Sequence, residues 1–496
     1  MVSRFACSAT IPLLWLATTA AASPSGPTQF VWGVYTQSVA THAAWARRGI
    51  NTLVTHDAAF PGYGYSAADY NASAKRHGLA QIRGPGSGAD NTAARDCGDP
   101  AILAWNLQDE PDGAGRQTPA ELAATAAVWR ERCPGKPVAV NYVSIGPAYQ
   151  VDKAPNTGAP YLDYLALPGI DWIAGDIYPE QTQVQGQPPL LLLGGWNMGA
   201  MRPFLTTSVG AATDTLFAGP YRGVRPGSVG KPVFQFLATA HVDLGNPNPK
   251  PSSPRRFRLL AWSAIVNGAA GLILFPQVAG SLPVTASAAK GVLTVAAGWR
   301  DRTANPDKIY AGLKLDCDGC EGLTIAAQTG GTPGGTGTYS LSSRRSFGER
   351  PVVLTSPVGT SGDDSSPALL TELATLIANV RIMADAGILI DPGHGGRRAF
   401  AVWHSADVPG DANAVHAALP EGPGDATHLP RGFEGATFEK GGRTWFLALN
   451  LCDCDRLLNH KQGPWNVAGM RFARYEARLF TSDDPRDRLA QAGVED

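Results

Sequence analysis

The chain has 496 residues, of which 44% are hydrophobic and 17% are charged. This balance is typical of a globular protein with two or three domains and a large core. The formal net charge is −1, so neither nucleic acid nor an anionic membrane surface is an expected partner.

The N-terminus has the pattern of a secretory signal peptide. Arg4 supplies a positive charge, residues 11–17 form a short apolar run, and residues 20–22 offer a small-residue cleavage site. The apolar run is short for a membrane span, and an uncleaved anchor is the alternative. We therefore expect residues 1–23 to be a signal peptide and the mature protein to be secreted or periplasmic, with no transmembrane segment.

Six cysteines follow this signal, an even number that suits an oxidising compartment. Cys97 precedes one predicted strand and Cys133 follows the helix after it, so we expect a disulfide between them. Disulfides are also favoured over a four-thiolate zinc site for the other four cysteines, because the chain is expected to be exported. These four are Cys317, Cys320, Cys452 and Cys454, and their pairing stays open.

Eight apolar runs alternate with helical patterns from residue 27 onward. Parallel strands joined by helices form right-handed crossovers, and eight of them predict a closed (β/α)8 TIM barrel over residues 27–390. The helix at 118–132 is expected to begin in a capping box from Thr118 to Glu121. The predicted strands are 30–35, 51–55, 79–82, 102–107, 137–141, 170–179, 232–237 and 271–275.

The C-terminal half loosens this alternation. Residues 284–365 contain strand-like runs and a Gly-rich loop, which predicts a β-rich insertion in the barrel. The segment 367–380 has apolar residues at three- and four-residue spacing and is predicted to be the last barrel helix. Residues 391–482 contain alternating runs, the strongest at 471–480, which predict a small all-β sandwich domain after the barrel.

One stretch, from Ile102 to Asp112, points to function. Its apolar run stops at Asp109 and Glu110, and Pro111 ends the strand because proline has no N–H to donate. In a (β/α)8 barrel, catalytic groups lie at the C-terminal tips of the strands. The polar residues predicted at these tips are Asp57, Arg83, Asp109, Glu110, Asn141, Tyr142, Asp176, Tyr178 and Gln235.

Converging carboxylates, amides and aromatic rings suit sugar recognition and cleavage of a glycosidic bond. This reaction needs a carboxylic acid at the leaving oxygen and a second group, which is a nucleophile or a base for water. Glu110 is the predicted acid, because the charge of Asp109 would raise its pKa. Structural roles stay open: the two acids could cap a helix, Arg83 could pair with Asp109, and Asp57 could cap a loop.

The triplet Asp109-Glu110-Pro111 resembles the Asn-Glu-Pro motif at the end of strand four in a large clan of TIM-barrel glycoside hydrolases, with Asp in place of Asn. Residues 171–179 also resemble the sixth strand of that clan, and the C-terminal region is similar to the small sandwiches that follow such barrels. The resemblance covers residues 27–280 and 367–380. It implies that Glu110 is the acid/base and that the substrate is a poly- or oligosaccharide.

The chain departs from this clan at strand seven, where the clan carries its nucleophilic glutamate. Residues 231–240 have the Lys-Pro-Val start but no acid. The nearest polar side chain is Gln235, which is neither a nucleophile nor a base. The second catalytic group is therefore open.

Three groups could replace the missing nucleophile, and the barrel could also lack catalytic activity. Asp176 is favoured as base or nucleophile. Alternatively, the substrate's own acetamide is the nucleophile and Asp109 orients it, as in the substrate-assisted N-acetylhexosaminidases, or Asp243 or Glu180 enters from a loop. The chain could also be a catalytically silent carbohydrate-binding barrel. The chemistry requires no metal or cofactor, and the sugar, its linkage and the oligomeric state stay open.

Overall fold

The structure, a computed structural model, describes the eight barrel strands, six helices and the antiparallel sheets that follow them. Several predictions fall outside its described residues: the signal peptide, Asp57, Asp176, Tyr178, Glu180 and Asp243. The described residues are 26–35, 37, 39–55, 66–84, 93–113, 117–142, 157–159, 163–164, 167–175, 231–239, 254–266, 269–275, 281–297, 309, 311–332, 335–355, 367–389, 400–404, 424–426, 429–430, 432–452 and 454–489.

Eight parallel strands form a closed barrel in chain order, in which the last strand pairs with the first. The predicted (β/α)8 fold is therefore confirmed. The strands are β1 (Val31–Tyr35), β2 (Thr52–Val54), β3 (Ala80–Arg83), β4 (Ile102–Asp109), β5 (Val138–Tyr142), β6 (Trp172–Gly175), β7 (Val233–Ala238) and β8 (Gly271–Phe275).

The helices that the structure describes are α1 (His42–Arg47), α2 (Ala67–Arg76), α3 (Ala93–Asp96), α4 (Pro119–Arg132), α5 (Pro254–Val266) and α6 (Pro367–Asp385), and a short 3₁₀ turn (Val39–Thr41) precedes α1. The predicted capping box opens α4: the Thr118 side chain accepts from the Glu121 N–H, and the Glu121 carboxylate accepts from the Thr118 N–H. These bonds satisfy two donors at the helix start.

Side chains alternate between two cores along the barrel strands other than the irregular β4, as the pleat requires. The inner core fills the barrel, and the outer core lies between the strands and the helices. On β5, for example, Ala139 belongs to the inner core and Val140 to the outer core. The inner core comprises Val31, Tyr35, Val54, Ile82, Ala104, Ala139, Trp172, Ala174, Phe234, Phe236, Ala270 and Ile273.

A six-stranded antiparallel sheet follows the barrel strands, where a β-rich insertion was predicted. Its strand order is β11-β14-β9-β10-β13-β12, and its apolar side chains form a separate core. The strands are β9 (Ser281–Ala289), β10 (Val292–Ala297), β11 (Lys314–Asp316), β12 (Ile325–Gly331), β13 (Gly337–Leu341) and β14 (Phe347–Thr355).

The predicted last barrel helix is α6, which packs beside α5. The Arg258 Nε donates to the Glu372 carboxylate at 2.8 Å across this contact, and Glu372 is buried. On the other side of α6, Ile377 lies against Gly49, just after α1. The helix therefore packs between α5 and the end of α1.

The C-terminal region consists of a four-stranded antiparallel sheet and a two-stranded ribbon. Ser263 on α5 donates to the buried Glu434 carboxylate of this sheet at 2.8 Å, while Trp465 packs on the opposite face against Phe446 and Phe480. The antiparallel architecture agrees with an all-β region after the barrel. The sheet contains β15 (Phe400–His404), β16 (Phe433–Lys440), β17 (Arg443–Asn450) and β20 (Ala477–Thr481), and the ribbon contains β18 (Arg456–His460) and β19 (Val467–Phe472).

Cys97 and Cys133 form the predicted disulfide, with their Cα atoms 5.5 Å apart. It ties the end of α3 to the end of α4 and so braces the βα unit that contains β4. The other four cysteines form two local disulfides, Cys317–Cys320 and Cys452–Cys454. Among the helices that the structure describes, none is long and apolar enough to cross a membrane.

Candidate functional site

A register break in β4 positions the acidic tip of this strand. Asn106 pairs with Ala139 on β5, but the next pair along is Asp109 with Asn141, so three steps on β4 match two on β5. Such a bulge re-aims the side chains that follow it and is common beside active sites. It brings Asp109 into register with an inward-facing position of β5.

Asp109 and Asn141 contact each other at this position. Asn141 has the same strand parity as the inner-core residue Ala139, and it is buried. Its Nδ2 donates to Asp109 Oδ1 at 3.0 Å. Two of the predicted site residues are thus held together at the C-terminal end of the barrel, and the amide fixes the orientation of the carboxylate.

Glu110 follows with a left-handed backbone, at φ 45°. Its N–H donates to the Asn141 carbonyl at 3.0 Å, and its carbonyl accepts from the Gly113 N–H at 3.0 Å. This conformation costs a non-glycine residue about 1–2 kcal/mol. Residues held in such regions cluster at active sites, where the surrounding structure enforces them.

Beneath this turn lie three buried groups, two of which the sequence analysis did not single out. Asp112 and Tyr164 are fully buried and Tyr142 nearly so. Burial raises the pKa of Tyr142 well above its usual value of 10, and the charge of Asp112 and the neighbouring Tyr164 act in the same direction. The Tyr142 hydroxyl therefore stays protonated and donates to the Tyr164 carbonyl at 3.0 Å. For Asp112, the available sequence signal was a third acid in the same stretch, two residues after Glu110.

Tyr142 itself was predicted to bind substrate, but it has the strand parity of Val138 and Val140, which pack in the outer core. Its ring lies 5.8 Å from that of Tyr164. Tyr142 thus faces the helices and supports the turn from behind.

Arg83 also faces the helices. Its neighbour Ile82 belongs to the inner core, so the pleat directs Arg83 outward. The side chain is 1% exposed, its Nη2 donates to Asp96 at 2.6 Å, and its guanidinium lies over the Trp105 ring at 5.4 Å. Arg83 was expected to contact substrate or Asp109, whereas its contacts with Asp96 and Trp105 are structural.

Gln235 on β7 lies between two inner-core phenylalanines, Phe234 and Phe236. Its buried amide donates to the Phe236 carbonyl at 2.7 Å and to the Gly175 carbonyl at 3.4 Å. The bond to Gly175 links β7 to β6 and the bond to Phe236 stays within β7, so Gln235 has a structural role. The mouth beside β7 is aromatic: Tyr35 contacts Phe236 and Phe275 with ring centroids 5.3 and 5.6 Å apart.

Acidic side chains at the strand tips are therefore concentrated on one strand. Within the described ranges, β4 and the turn after it supply all of them: Asp109, Glu110 and Asp112. The same ranges contain no group of three His, Cys, Asp or Glu side chains that could hold a metal ion. The tip of β4 therefore places two adjacent carboxyl groups together, one of them oriented by the Asn141 amide, an arrangement suited to general acid/base chemistry.

No family model and no curated protein matches the chain. Similar solved structures include an endo-β-1,4-mannanase from Thermotoga petrophila (14% identity, 51% of this chain and 68% of that chain, TM-score 0.32). Another is a glucosidase from Croceicoccus marinus (10% identity, 94% of this chain and 83% of that chain, TM-score 0.36). A third is a GH30 endoxylanase from Clostridium papyrosolvens (9% identity, 92% of this chain and 95% of that chain, TM-score 0.35). TM-scores of this size carry no inference about function, so the activity of the chain has to be inferred from its own residues.

Proposed function

We propose that the protein is an exported glycoside hydrolase that acts on a poly- or oligosaccharide, with Glu110 as its general acid/base. The observation that carries this proposal is the tip of β4, where a bulge and a left-handed residue present Glu110 beside the Asp109–Asn141 pair. Neither feature is needed to end a strand. A bulge re-aims the side chains that follow it, and a left-handed non-glycine residue is kept only where the surrounding structure enforces it, often at an active site.

In the proposed reaction, the Glu110 carboxyl gives its proton to the glycosidic oxygen as the bond to the leaving sugar breaks. A second group on the opposite face attacks the sugar or activates the water that does so. Asp176, which lies outside the described residues, is our candidate for this group. Asn141 and Asp109 would bind the sugar hydroxyls next to the reacting carbon.

A second candidate function is a substrate-assisted N-acetylhexosaminidase. It is favoured by the Asn141 amide, which holds Asp109 in one orientation, as a residue that must position an acetamide requires. In this reaction the acetamide oxygen of the substrate attacks, and Asp109 stabilises the acetamide nitrogen. A second protein carboxylate is then unnecessary.

The test is a screen of the purified mature protein against a broad panel of glycans, including N-acetylated ones. Glu110→Gln should lower turnover of any responding substrate by about 100- to 10,000-fold, because proton donation is lost. Glu131→Gln is the matched control, since it makes the same change at an exposed position near the end of α4. Equal turnover in Glu110→Gln and the control would refute the proposed acid.

Asp176→Asn separates the two reactions. A comparable loss of turnover would identify Asp176 as the second group, and NMR of the released anomer would then distinguish retention from inversion. Unchanged turnover, restricted to N-acetylated substrates, would favour the acetamide route. Glycan binding without turnover of any substrate would favour a silent carbohydrate-binding barrel.

Export is also a proposal, supported by the N-terminal pattern of Arg4, the apolar run at 11–17 and the small residues at 20–22. Expression of the full chain with a C-terminal tag tests it. The expected product lies outside the cytoplasmic membrane and begins near residue 24. A product that keeps its first residues inside the cell would contradict this.

A further inference from the structure

A chain of hydrogen bonds links the outer core to the turn that carries Glu110. The Tyr164 hydroxyl donates to the Gln117 carbonyl at 2.7 Å, and the Gln117 N–H donates to the Pro111 carbonyl at 2.9 Å. Pro111 is the residue directly after Glu110. The position of Tyr164 is thus transmitted through two bonds to the candidate acid.

Tyr164 is itself held from two sides. Since its hydroxyl donates to Gln117, the Thr157 hydroxyl donates to the Tyr164 oxygen, at 2.8 Å. The Tyr142 hydroxyl donates to the Tyr164 carbonyl at 3.0 Å. Tyr142 comes directly after Asn141 on β5, so the network connects the two strand tips that form the site.

We propose that Tyr164 is a positioning residue for Glu110. This inference rests on the proposed function, and Tyr164 itself takes no part in the proton transfer. Tyr164 holds Gln117, and through it Pro111, in place beside β5 and thereby enforces the left-handed backbone of Glu110. Without such support, a residue with a penalty of about 1–2 kcal/mol relaxes to an ordinary conformation.

The expected consequence is a loss of catalytic geometry without a loss of binding. A displacement of about 1 Å at a reacting group can cost roughly 100-fold in rate. Tyr164→Phe should therefore lower kcat about 10- to 100-fold and leave KM within about twofold, because an interaction that matters only in the transition state changes kcat. Tyr70→Phe is the matched control, since Tyr70 is equally buried but lies on α2.

Hydrogen exchange provides a second measurement that needs no substrate. The amides of Gly113 and Gln117, which donate to the Glu110 and Pro111 carbonyls, should exchange at least about 10-fold faster in Tyr164→Phe than in the wild type. Amides in the later turns of α4 should be unchanged. If Tyr164→Phe does not fold, Thr157→Ala replaces it: this half-buried position should give the same two changes at smaller size.

The outcomes separate this inference from the proposed function. If Glu110→Gln abolishes turnover but Tyr164→Phe matches Tyr70→Phe in kcat, the positioning role is refuted and the acid stands. If Glu110→Gln has no effect, the proposed acid is refuted whatever Tyr164 does. If no glycan is turned over, unchanged exchange at Gly113 and Gln117 still overturns the inference, and faster exchange there supports it.

Discussion

His42 makes the stability of this protein sensitive to acid. The residue begins α1, is fully buried, and its Nδ1 is hydrogen-bonded to Ser73 Oγ at 3.0 Å. Its ring lies edge-on to Tyr70 at 4.8 Å. Burial lowers the pKa of His42 from 6.5 to about 4; the backbone of Gln37 opposes this change, and the nearby His77 adds to it.

The sign of the effect follows from the proton balance. Between pH 6.5 and 4, His42 is neutral in the folded protein and charged in the unfolded chain, so the unfolded chain binds more protons. Stability is therefore intact above pH 6.5 and falls as the pH drops towards 4. One pKa unit corresponds to about 1.4 kcal/mol, and the change to about 4 makes His42 responsible for a loss of about 3 kcal/mol across this window.

The assay compares urea unfolding of the wild type and His42→Asn at several pH values from 4 to 7.5. Asparagine keeps a polar group near Ser73 but does not titrate. The difference in unfolding free energy between the two proteins should change by about 1 kcal/mol per pH unit below pH 6.5 and stay constant above it. His77→Gln, at a half-exposed position, should change the pH dependence only slightly, because His77 is the smallest of the three causes of the His42 pKa change. Parallel curves for wild type and His42→Asn would refute the reasoning.

Three further predictions concern the barrel. Gly271→Ala should destabilise the protein by about 1–3 kcal/mol, because a Cβ there would lie 2.5 Å from a carbonyl oxygen of β1. Gly98→Ala is the control, since a Cβ at Gly98 would meet nothing within 4 Å, and thermal unfolding of both variants measures the difference. Removing Cys97 and Cys133 together should cost about 3–4 kcal/mol, since the bond closes a loop with a sequence separation of 36, and neither thiol should alkylate in the native, unreduced protein. Gln235→Glu should lower the free energy of unfolding at pH 7.5 by more than about 1–3 kcal/mol, because a carboxylate would face two carbonyl oxygens. Part of this stability should return at pH 4.5, where a protonated carboxyl can donate a hydrogen bond. A Gln235→Glu variant as stable as wild type at pH 7.5 would contradict the structural role of this amide.

The barrel was predictable because most strands carry a largely apolar run that a parallel sheet buries on both faces. The same property hides which way a polar residue at the strand end points. Arg83 and Tyr142 were expected at the mouth, but their neighbours Ile82 and Asn141 take the inward positions. Counting alternate residues back along β3 and β5 would have placed both side chains against the helices, so part of this information was present in the sequence.

Other features of the site depend on contacts between distant segments and could not be predicted. The bulge in β4 exists only relative to the register of β5. Tyr164 reaches Gln117 across 47 residues of sequence, and the short segment that contains it has no periodicity to indicate this contact. A single sequence gives the order of the strands, but the offset between neighbours is set by packing of the whole sheet.

The contrast between β4 and β7 limits the chemistry that this barrel can perform. β7 pairs with β8 in unbroken register over five residues, so its pleat turns Phe234 and Phe236 inward and Gln235 away from the mouth. An acid at position 235 would therefore not reach the mouth even if it were present. The register of β4 with β5 shifts after Asn106, and the backbone at Glu110 is left-handed. Because only one of the two strands presents acids to the mouth, a protein nucleophile or base would have to come from another strand end, such as Asp176 after β6. If neither Asp176 nor a loop acid such as Asp243 or Glu180 supplies it, the acetamide of the substrate is the remaining nucleophile for a glycosidase of this design.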